Sequence, residues 1–296
     1  MLNALSVDVE EYFHAEIFQT GTRGQTKRAW ESRVEASVDA LLALLSRKRA
    51  RGTFFTLGEI AANHPAVVRK IAAEGHEIAC HGDRHECVYR MSPAQFRADI
   101  HLAKQRLEDL VGTLVIGYRA PNFSIGPGQA WAYPILMEEG FRYDSSTYPI
   151  LHDRYGRPSA PRFPYGICRR GLAWLTEFPI GTARLLGVNL PIGGGGYFRL
   201  SPLELVRRGI QYVNRHDRQP IMFYFHPWEL DPGQPRLPMA WRHRFRHYIG
   251  LEREAFKLSR LLSQFEFGSA RDVLERHEQS ADVYDAACEA APMATV

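Results

Sequence analysis

The sequence has little cysteine and no long apolar run. Its 296 residues include four cysteines, and these form no CxxC pair. A disulfide framework and a cysteine-based zinc site are therefore not indicated, and we expect free thiols in a reducing compartment. No window approaches the roughly 18 consecutive apolar residues that a membrane-spanning helix requires.

Dense basic runs, internal repeats and a signal-peptide pattern are also missing. The chain carries 37 Lys and Arg against 33 Asp and Glu, a net charge of +4, but the basic residues are scattered, which argues against nucleic-acid binding. The N-terminal run has no basic region and ends in carboxylates instead of a small-residue cleavage site. We therefore expect the chain to begin in its fold and to be cytoplasmic, at most peripheral to the inner membrane.

Short apolar strands alternate with amphipathic helices, in a composition that is 45% hydrophobic and 24% charged. This alternation predicts an α/β fold with a parallel sheet or barrel, whose functional site lies at the carboxyl ends of the strands. The predicted strands are Leu2–Val9 and residues 53–57, 76–80, 114–118, 141–143, 172–178 and 220–225. The predicted helices are residues 31–49, 65–74, 93–111, 128–139, 202–215, 251–265 and 269–277.

Four segments depart from this alternation. Residues 15–29 are weakly periodic, and we interpret them as a loop over the site. Residues 147–171 are rich in proline, arginine and tyrosine, and we expect an insertion with little regular structure. The glycine run at 193–196 predicts a flexible turn near the site. We expect one domain over residues 1–277 and a disordered tail over residues 278–296.

Polar side chains follow five of the predicted strands. Because the carboxyl ends of parallel strands meet at one edge of a sheet or barrel, these side chains are candidates for a shared site. For the carboxylates after the first strand, the alternative is a solvated acidic turn. The candidates are Asp8, Glu10, Glu11, His81, His85, Arg119, Asp144 and His226.

Two of these candidates have a spacing that suits a metal ion. His81 and His85, with one carboxylate, could bind a divalent cation and leave coordination positions open for water and a substrate carbonyl. Taken alone, an HxxxH pair is explained about as often by two histidines on an exposed helix. His243 and His247 have the same spacing, but no strand precedes them, and we interpret that pair as surface residues.

The order of these motifs resembles the polysaccharide deacetylases of carbohydrate esterase family 4, which share the NodB-homology fold. The resemblance runs from about Leu2 to Leu274. Further similarity to the branch encoded with bacterial exopolysaccharide and PEP-CTERM export systems lies in residues 7–13, 193–199 and 226–229. The motifs are Asp8-Val9-Glu10, His81-x3-His85, Arg119-Ala120-Pro121, Asp144-Ser145-Ser146 and His226 at a strand end.

The resemblance implies a distorted (β/α)7 barrel and a metal-dependent hydrolase that removes N-acetyl groups from amino sugars of an exopolysaccharide or its precursor. Zinc is the expected metal. Asp8 matches the general base, and His81 and His85 match two metal ligands. The family's usual third ligand falls on Val9 here. By the Asp-x-Asp pattern of some members Glu10 takes this role, and Glu11 remains the alternative.

The resemblance also assigns the other candidates. Arg119 matches the arginine that pairs with the base, and His226 matches the general acid. Asp144 could orient His226, and an N-cap or Asx-turn role is its alternative. For Arg119 the alternative is a surface ion pair, and for His226 it is a satisfied core histidine. The expected substrate-binding residues are Trp228, Tyr197 and Pro121.

Two other functions remain open at this point. One is an allantoinase-like hydrolase of small amides with the same fold. The other is a non-catalytic glycan-binding protein of an exopolysaccharide assembly, in which the altered acidic motif no longer binds metal. The set of candidate base, acid and histidine ligands argues against the second.

Overall fold

The fold is built on a curled sheet of mostly parallel strands. The computed structural model describes residues 1–14, 30–152, 155–169, 173–236 and 240–280. Within these ranges the strands of the main sheet are β1 (Leu2–Val9), β2 (Thr53–Thr56), β3 (Glu77–Cys80), β4 (Gly117–Tyr118), β5 (Tyr143–Asp144), β6 (Tyr165–Arg169), β7 (Ala173–Glu177), β10 (Met222–Phe225) and β11 (Glu266–Gly268). A separate antiparallel hairpin consists of β8 (Thr182–Leu185) and β9 (Val188–Pro191).

The strand order gives a nearly closed barrel. Strands β10, β1, β2, β3, β4, β5 and β7 pair in that order, and all of these pairs are parallel. Strand β6 is added antiparallel to β7, and β11 pairs with the start of β1. Beyond β7, Ile180 forms a parallel bridge with Met222 of β10, which brings the two ends of the series together. The predicted α/β barrel-like fold is confirmed.

Ten described helices surround the sheet and fill the connections. They are α1 (Val34–Lys48), α2 (Gly58–Asn63), α3 (Pro65–Ala73), α4 (Pro93–Val111), α5 (Ala132–Glu138), α6 (Gly195–Leu200), α7 (Leu203–Tyr212), α8 (Trp241–Tyr248), α9 (Leu251–Leu262) and α10 (Ala270–Ser280). Short 3-10 turns and a π-helical turn at Val213–Asp217 occur between them. None of these helices has the length and hydrophobicity needed to cross a bilayer.

Helix α4 shows how the sequence sets its own boundaries. The hydroxyl of Ser92 accepts a hydrogen bond from the Gln95 N–H at 3.3 Å, and the Gln95 amide oxygen accepts one from the Ser92 N–H at 2.8 Å. Pro93 occupies the first turn, where its missing N–H costs nothing. The helix ends at Gly112, whose φ of 68° suits a residue without a side chain. These limits were predicted from the sequence.

Alternation along β1 places one carboxylate inside the barrel. Leu5, Val7 and Val9 belong to the core between the sheet and its helices, whereas Ala4 belongs to the core inside the curl. Because side chains alternate along a strand, Asp8 shares the inner face with Ala4. Strand β1 therefore directs Asp8 to the inner face at its carboxyl end.

Several predicted segments differ in the structure. Part of the expected irregular insertion forms strand β6, which pairs with β7 as a hairpin. The expected flexible turn at the glycine run leads directly into helix α6, and helix α8 was not predicted at all. The loop at 15–29 lies outside the described residues, as do residues 281–296 of the expected tail. Cys80 and Cys87 are buried free thiols, as expected.

Candidate active site

A cavity of about 290 Å³ lies at the carboxyl ends of the barrel strands. It brings together side chains that come from four separate strand ends. Of the residues predicted for the site, those that line the cavity are Asp8, Glu10, His81, His85, His226, Trp228 and Tyr197. Arg119 and Asp144 lie behind this lining, and Pro121 is not among the lining residues either, although Asn122 and Phe123 beside it are.

Glu10, His81 and His85 form a cluster with the geometry of a metal site. One donor atom from each lies within 4.8 Å of the other two, and all three residues are buried. Glu10 Oε2 is 2.7 Å from His85 Nε2. The pKa of Glu10 lies far below its usual value, because the attraction of His85 and His226 for the carboxylate outweighs the effect of burial. Two imidazoles and a carboxylate are a donor set that divalent transition metals favour.

The two histidines are held by the backbone around them. His81 Nδ1 is 2.8 Å from the carbonyl oxygen of Arg119, which leaves Nε2 for the cavity. Burial lowers the pKa of His81 to about 4, so the ring is neutral at pH 7, as a metal ligand must be. His85 has a φ of 56°, a conformation that non-glycine residues seldom adopt and that persists when the surroundings impose it.

The surroundings that impose this loop come from helices α2 and α4. The Gly58 N–H donates to the Gly82 carbonyl, and the Glu59 N–H donates to the Asp83 carbonyl, both at 2.9 Å. Arg106 of α4 forms an ion pair with Asp83 at 2.6 Å. The loop between the two histidines is therefore fixed from both sides.

Glu11, the alternative third ligand, is engaged elsewhere. Its carboxylate accepts hydrogen bonds from the N–H groups of Arg33 at 3.0 Å and Val34 at 3.3 Å, and from the hydroxyl of Ser32. The N–H groups of Arg33 and Val34 lie at the start of α1, where they have no partner within the helix and a negative charge is stabilised. Glu10 faces the cavity instead, and its Oε1 accepts a hydrogen bond from Trp228 Nε1 at 3.1 Å.

Asp8 and Arg119 form a buried ion pair. Arg119 Nη1 donates to Asp8 Oδ1 at 2.6 Å, and the Arg119 side chain is fully buried. Its other nitrogens donate to the carbonyl and hydroxyl of Ser145 at 3.1 and 2.9 Å, and its guanidinium lies 4.1 Å from the ring centroid of Phe55. The alternative of a surface ion pair is therefore wrong, and the charge of Asp8 is both neutralised and oriented.

His226 lies between carboxylates on both sides of its ring. Its Nε2 is 3.6 Å from Glu10 Oε1 and 3.9 Å from Asp8 Oδ2, and its Nδ1 is 3.3 Å from Glu229 Oε2. Burial lowers the pKa of His226, but these carboxylates outweigh burial and raise it to about 9. The ring is therefore protonated at neutral pH. The alternative of an ordinary core histidine does not fit these surroundings.

Glu229 and Arg199 were not predicted as site residues. Arg199 Nε lies 2.8 Å from Glu229 Oε1, and both side chains are buried. Glu229 also accepts a hydrogen bond from the His226 N–H at 2.9 Å, which fixes it relative to the ring that it faces. The sequence signal that could have identified Glu229 is its position three residues after His226. In a capping box, a Glu at this position turns back and binds the N–H of the residue that begins the turn.

Asp144 does not take the orienting role predicted for it. No contact with His226 is found in the described part of the chain, and the group at His226 Nδ1 is Glu229. Asp144 accepts a hydrogen bond from the Ser146 hydroxyl at 2.6 Å, two residues along the chain. Burial raises the pKa of Asp144, and the buried carboxyl of Glu177 lies beside it.

The structure also changes the predictions for Trp228 and His247. Trp228 is buried, and its ring is stacked between His226 and His247 at centroid distances of 4.9 and 4.6 Å, so neither face is open to a sugar. Tyr197, on α6, does line the cavity. The prediction that His247 lies on the surface is wrong: it is buried, lines the cavity and lies 2.8 Å from Gln234 Oε1. The side chain of His243 lies outside the described residues.

Comparison with protein families matches two parts of the chain. Residues 26–128 match the family described as Polysaccharide deacetylase, and residues 145–275 match the Domain of unknown function (DUF3473). The first range contains both histidines of the metal cluster and Arg119. The second contains His226, Glu229 and Arg199.

One similar curated protein is a chitooligosaccharide deacetylase of Bradyrhizobium sp. (strain ANU 289), with 34% identity over 140 residues. The match covers 39% of this chain and 64% of that protein, so the chain spans less than two thirds of the relative's length.

Two similar solved structures have nearly the same fold. A Mycobacterium smegmatis protein classified as a polysaccharide deacetylase has a TM-score of 0.64 at 19% identity, covering 96% of this chain and 92% of its own. The PuuE allantoinase has a TM-score of 0.63, also at 19% identity, covering 95% and 91%. At this identity the likeness establishes the fold.

Proposed function

Because the chain belongs to the polysaccharide deacetylase family, we propose that it is a metal-dependent hydrolase that removes N-acetyl groups from amino sugars of a bacterial exopolysaccharide or its precursor. The observation that carries the proposal is one cavity that contains a metal-type cluster, an ion-paired carboxylate and a protonated histidine. Hydrolysis of an acetamide by metal-activated water uses each of these three functions. Acetate and a free amine are the products.

The residues present fit a divalent cation. One donor atom of each of Glu10, His81 and His85 lies within 4.8 Å of the other two, a spacing that one cation can bridge. Glu10, His81 and His85 would hold the ion, and their nitrogen and oxygen donors suit zinc. When bound, the ion supplies a Lewis acid that lowers the pKa of water and polarises the substrate carbonyl.

Asp8 is suited to accept the proton of the attacking water. Arg119 donates a hydrogen bond to the Asp8 carboxylate, and the buried contacts of Arg119 fix the direction of that carboxylate. His226 faces Asp8 across the cavity and is protonated at neutral pH, so it can donate a proton to the nitrogen as the carbon–nitrogen bond breaks. Glu229 and Arg199 keep the ring in place.

The same fold supports allantoinase chemistry, so the substrate class needs a direct test. We expect the protein to release acetate from N-acetylated glucosamine oligosaccharides and to leave allantoin intact. An Asp8→Asn variant, which keeps the size of the side chain, should lose acetate release by roughly a hundredfold or more. Full acetate release by Asp8→Asn, or ring opening of allantoin as the faster reaction, would sink the proposal.

The compartment is proposed on chemical grounds. Cys80 and Cys87 are buried free thiols, which support a reducing environment such as the cytoplasm. An enzyme there would act on a glycan before export, at the inner face of the membrane.

A further inference from the structure

The turn between β8 and β9 exposes apolar side chains where polar ones are usual. Leu186 and Gly187 form this two-residue turn, with φ values of 49° and 83°. Hairpin turns with two positive φ values favour Asn, Asp or Gly, and leucine is strained there. Leu186 is nevertheless 95% exposed, and Leu185 and Val188 beside it are exposed as well. A strained leucine that adds nothing to the core indicates a role outside the fold.

Helix α8 has a second exposed apolar group. Trp241, which is 74% exposed, and Phe245 lie one turn apart on its outer face. Arg242, Arg244 and Arg246 are exposed around them. Aromatic side chains flanked by arginines are typical of helices that lie at a membrane surface.

Both elements are cationic. Residues 182–191 contain Arg184 and no Asp or Glu, and residues 234–250 contain four arginines and no Asp or Glu. These segments hold five positive charges, while the whole chain has a net charge of +4. Because neither segment contains an acidic residue, the charges beside the exposed apolar groups are positive and complement an anionic surface.

The two elements border neighbouring cavities. Arg246 and His247 of α8 line the catalytic cavity. An adjoining cavity of about 810 Å³ is lined by Arg184 and Val188 of the hairpin, and Tyr197 belongs to the lining of both. Tyr197 thus adjoins both cavities, and the hairpin and α8 lie in the same region of the surface.

We propose that this face docks on an anionic phospholipid bilayer. Its rim surface consists of Leu185, Leu186, Val188, Trp241 and Phe245, with Arg184, Arg242, Arg244 and Arg246 around them. The leucines and valine enter the acyl boundary, the aromatic rings lie at the level of the headgroups, and the arginines bind lipid phosphates. A platform for glycan chains would present flat rings at the hairpin, where this chain has branched aliphatic side chains.

Docking would place the catalytic opening at the headgroups, where a glycan attached to a lipid can enter. The inference adds a partner to the proposed function and does not depend on deacetylation, because vesicle binding is measured without substrate.

The test is co-sedimentation of the full chain with phosphatidylcholine vesicles, with and without phosphatidylglycerol. We expect binding to the anionic vesicles, weakening as ionic strength rises. Leu186→Asn should weaken binding about tenfold while preserving or raising thermal stability, since asparagine tolerates the positive φ. Trp241→Gln should also weaken binding. Matched controls are Leu114→Asn and Phe256→Gln, exposed by 65% and 66% at sites away from the opening.

The outcomes separate the explanations. Loss of vesicle binding in Leu186→Asn and Trp241→Gln, with the controls unchanged and acetate release from soluble oligosaccharides retained, supports docking. No binding by the parent protein, or equal loss in the controls, overturns it. A raised KM for soluble oligosaccharides in these variants without any vesicle binding assigns the surface to glycan instead. Absent acetate release with intact vesicle binding contradicts only the proposed function.

Discussion

The buried pair of Asp8 and Arg119 gives the sharpest mutational prediction. The two side chains meet at 2.6 Å, and Arg119 is fully buried, so replacing one partner leaves an uncompensated charge without water. Breaking such a pair costs ~3–5 kcal/mol of the free energy of unfolding. We expect this loss for Asp8→Asn and for Arg119→Met, measured by urea denaturation.

The double variant Asp8→Asn/Arg119→Met separates structure from catalysis. With both charges removed, much of the lost stability should return, giving a coupling energy of ~2 kcal/mol or more in a double-mutant cycle. Acetate release should not return, because the base is missing. Additive losses of stability would refute the argument that the pair is coupled, and restored activity would refute the role of Asp8.

Three further predictions follow from the site and its supports. In Glu229→Gln, kcat should fall about 10- to 100-fold with little change in KM. The activity of the parent protein should decline as the pH rises through about 9, because His226 then loses its proton, and in the variant this decline should begin at a lower pH. Burial lowers the pKa of His76 to about 4, whereas its pKa in the unfolded chain is about 6.5. Between these two pH values only the unfolded chain gains the proton, so the free energy of unfolding should fall as the pH is lowered towards 4. Urea titrations of His76→Gln should show a smaller fall than the parent protein, and an equal fall would contradict this prediction. Gly58→Ala would place a methyl group 2.3 Å from Asp83 Oδ1 and 2.9 Å from Ala103 Cα. Because Asp83 lies in the loop between the two histidines, this variant should weaken metal binding although no ligand is replaced. Gly128→Ala, which has open space around it, should leave metal binding unchanged.

Much of the site could be predicted because the sequence of a strand indicates where the strand ends and which residues share one face. The alternation in β1 and its apolar length fix Asp8 at the inner face of the carboxyl end, and the strands before His81 and His226 do the same for those residues. The distinction between Glu10 and Glu11 could not be predicted from their positions. It depends on the start of helix α1, more than twenty residues away, which engages Glu11.

The errors have the same physical origin. Asp144 and Glu229 are both carboxylates near strand ends, and only the three-dimensional arrangement places Glu229 at the ring of His226. His247 lies in a run of arginines that suggests a surface, but one face of α8 packs on Trp228. Long-range packing, which a local pattern does not contain, decides both cases.

Metal content, measured together with acetate release, tests the central claim most directly. The parent protein should bind close to one equivalent of zinc after reconstitution, lose acetate release on chelation and regain it when zinc is returned. Glu10→Gln should lose both metal and activity, whereas Glu11→Gln should keep the metal and lose only helix stability. A parent protein that releases acetate without metal, or a Glu10→Gln variant that binds zinc as tightly as Glu11→Gln, would contradict the account.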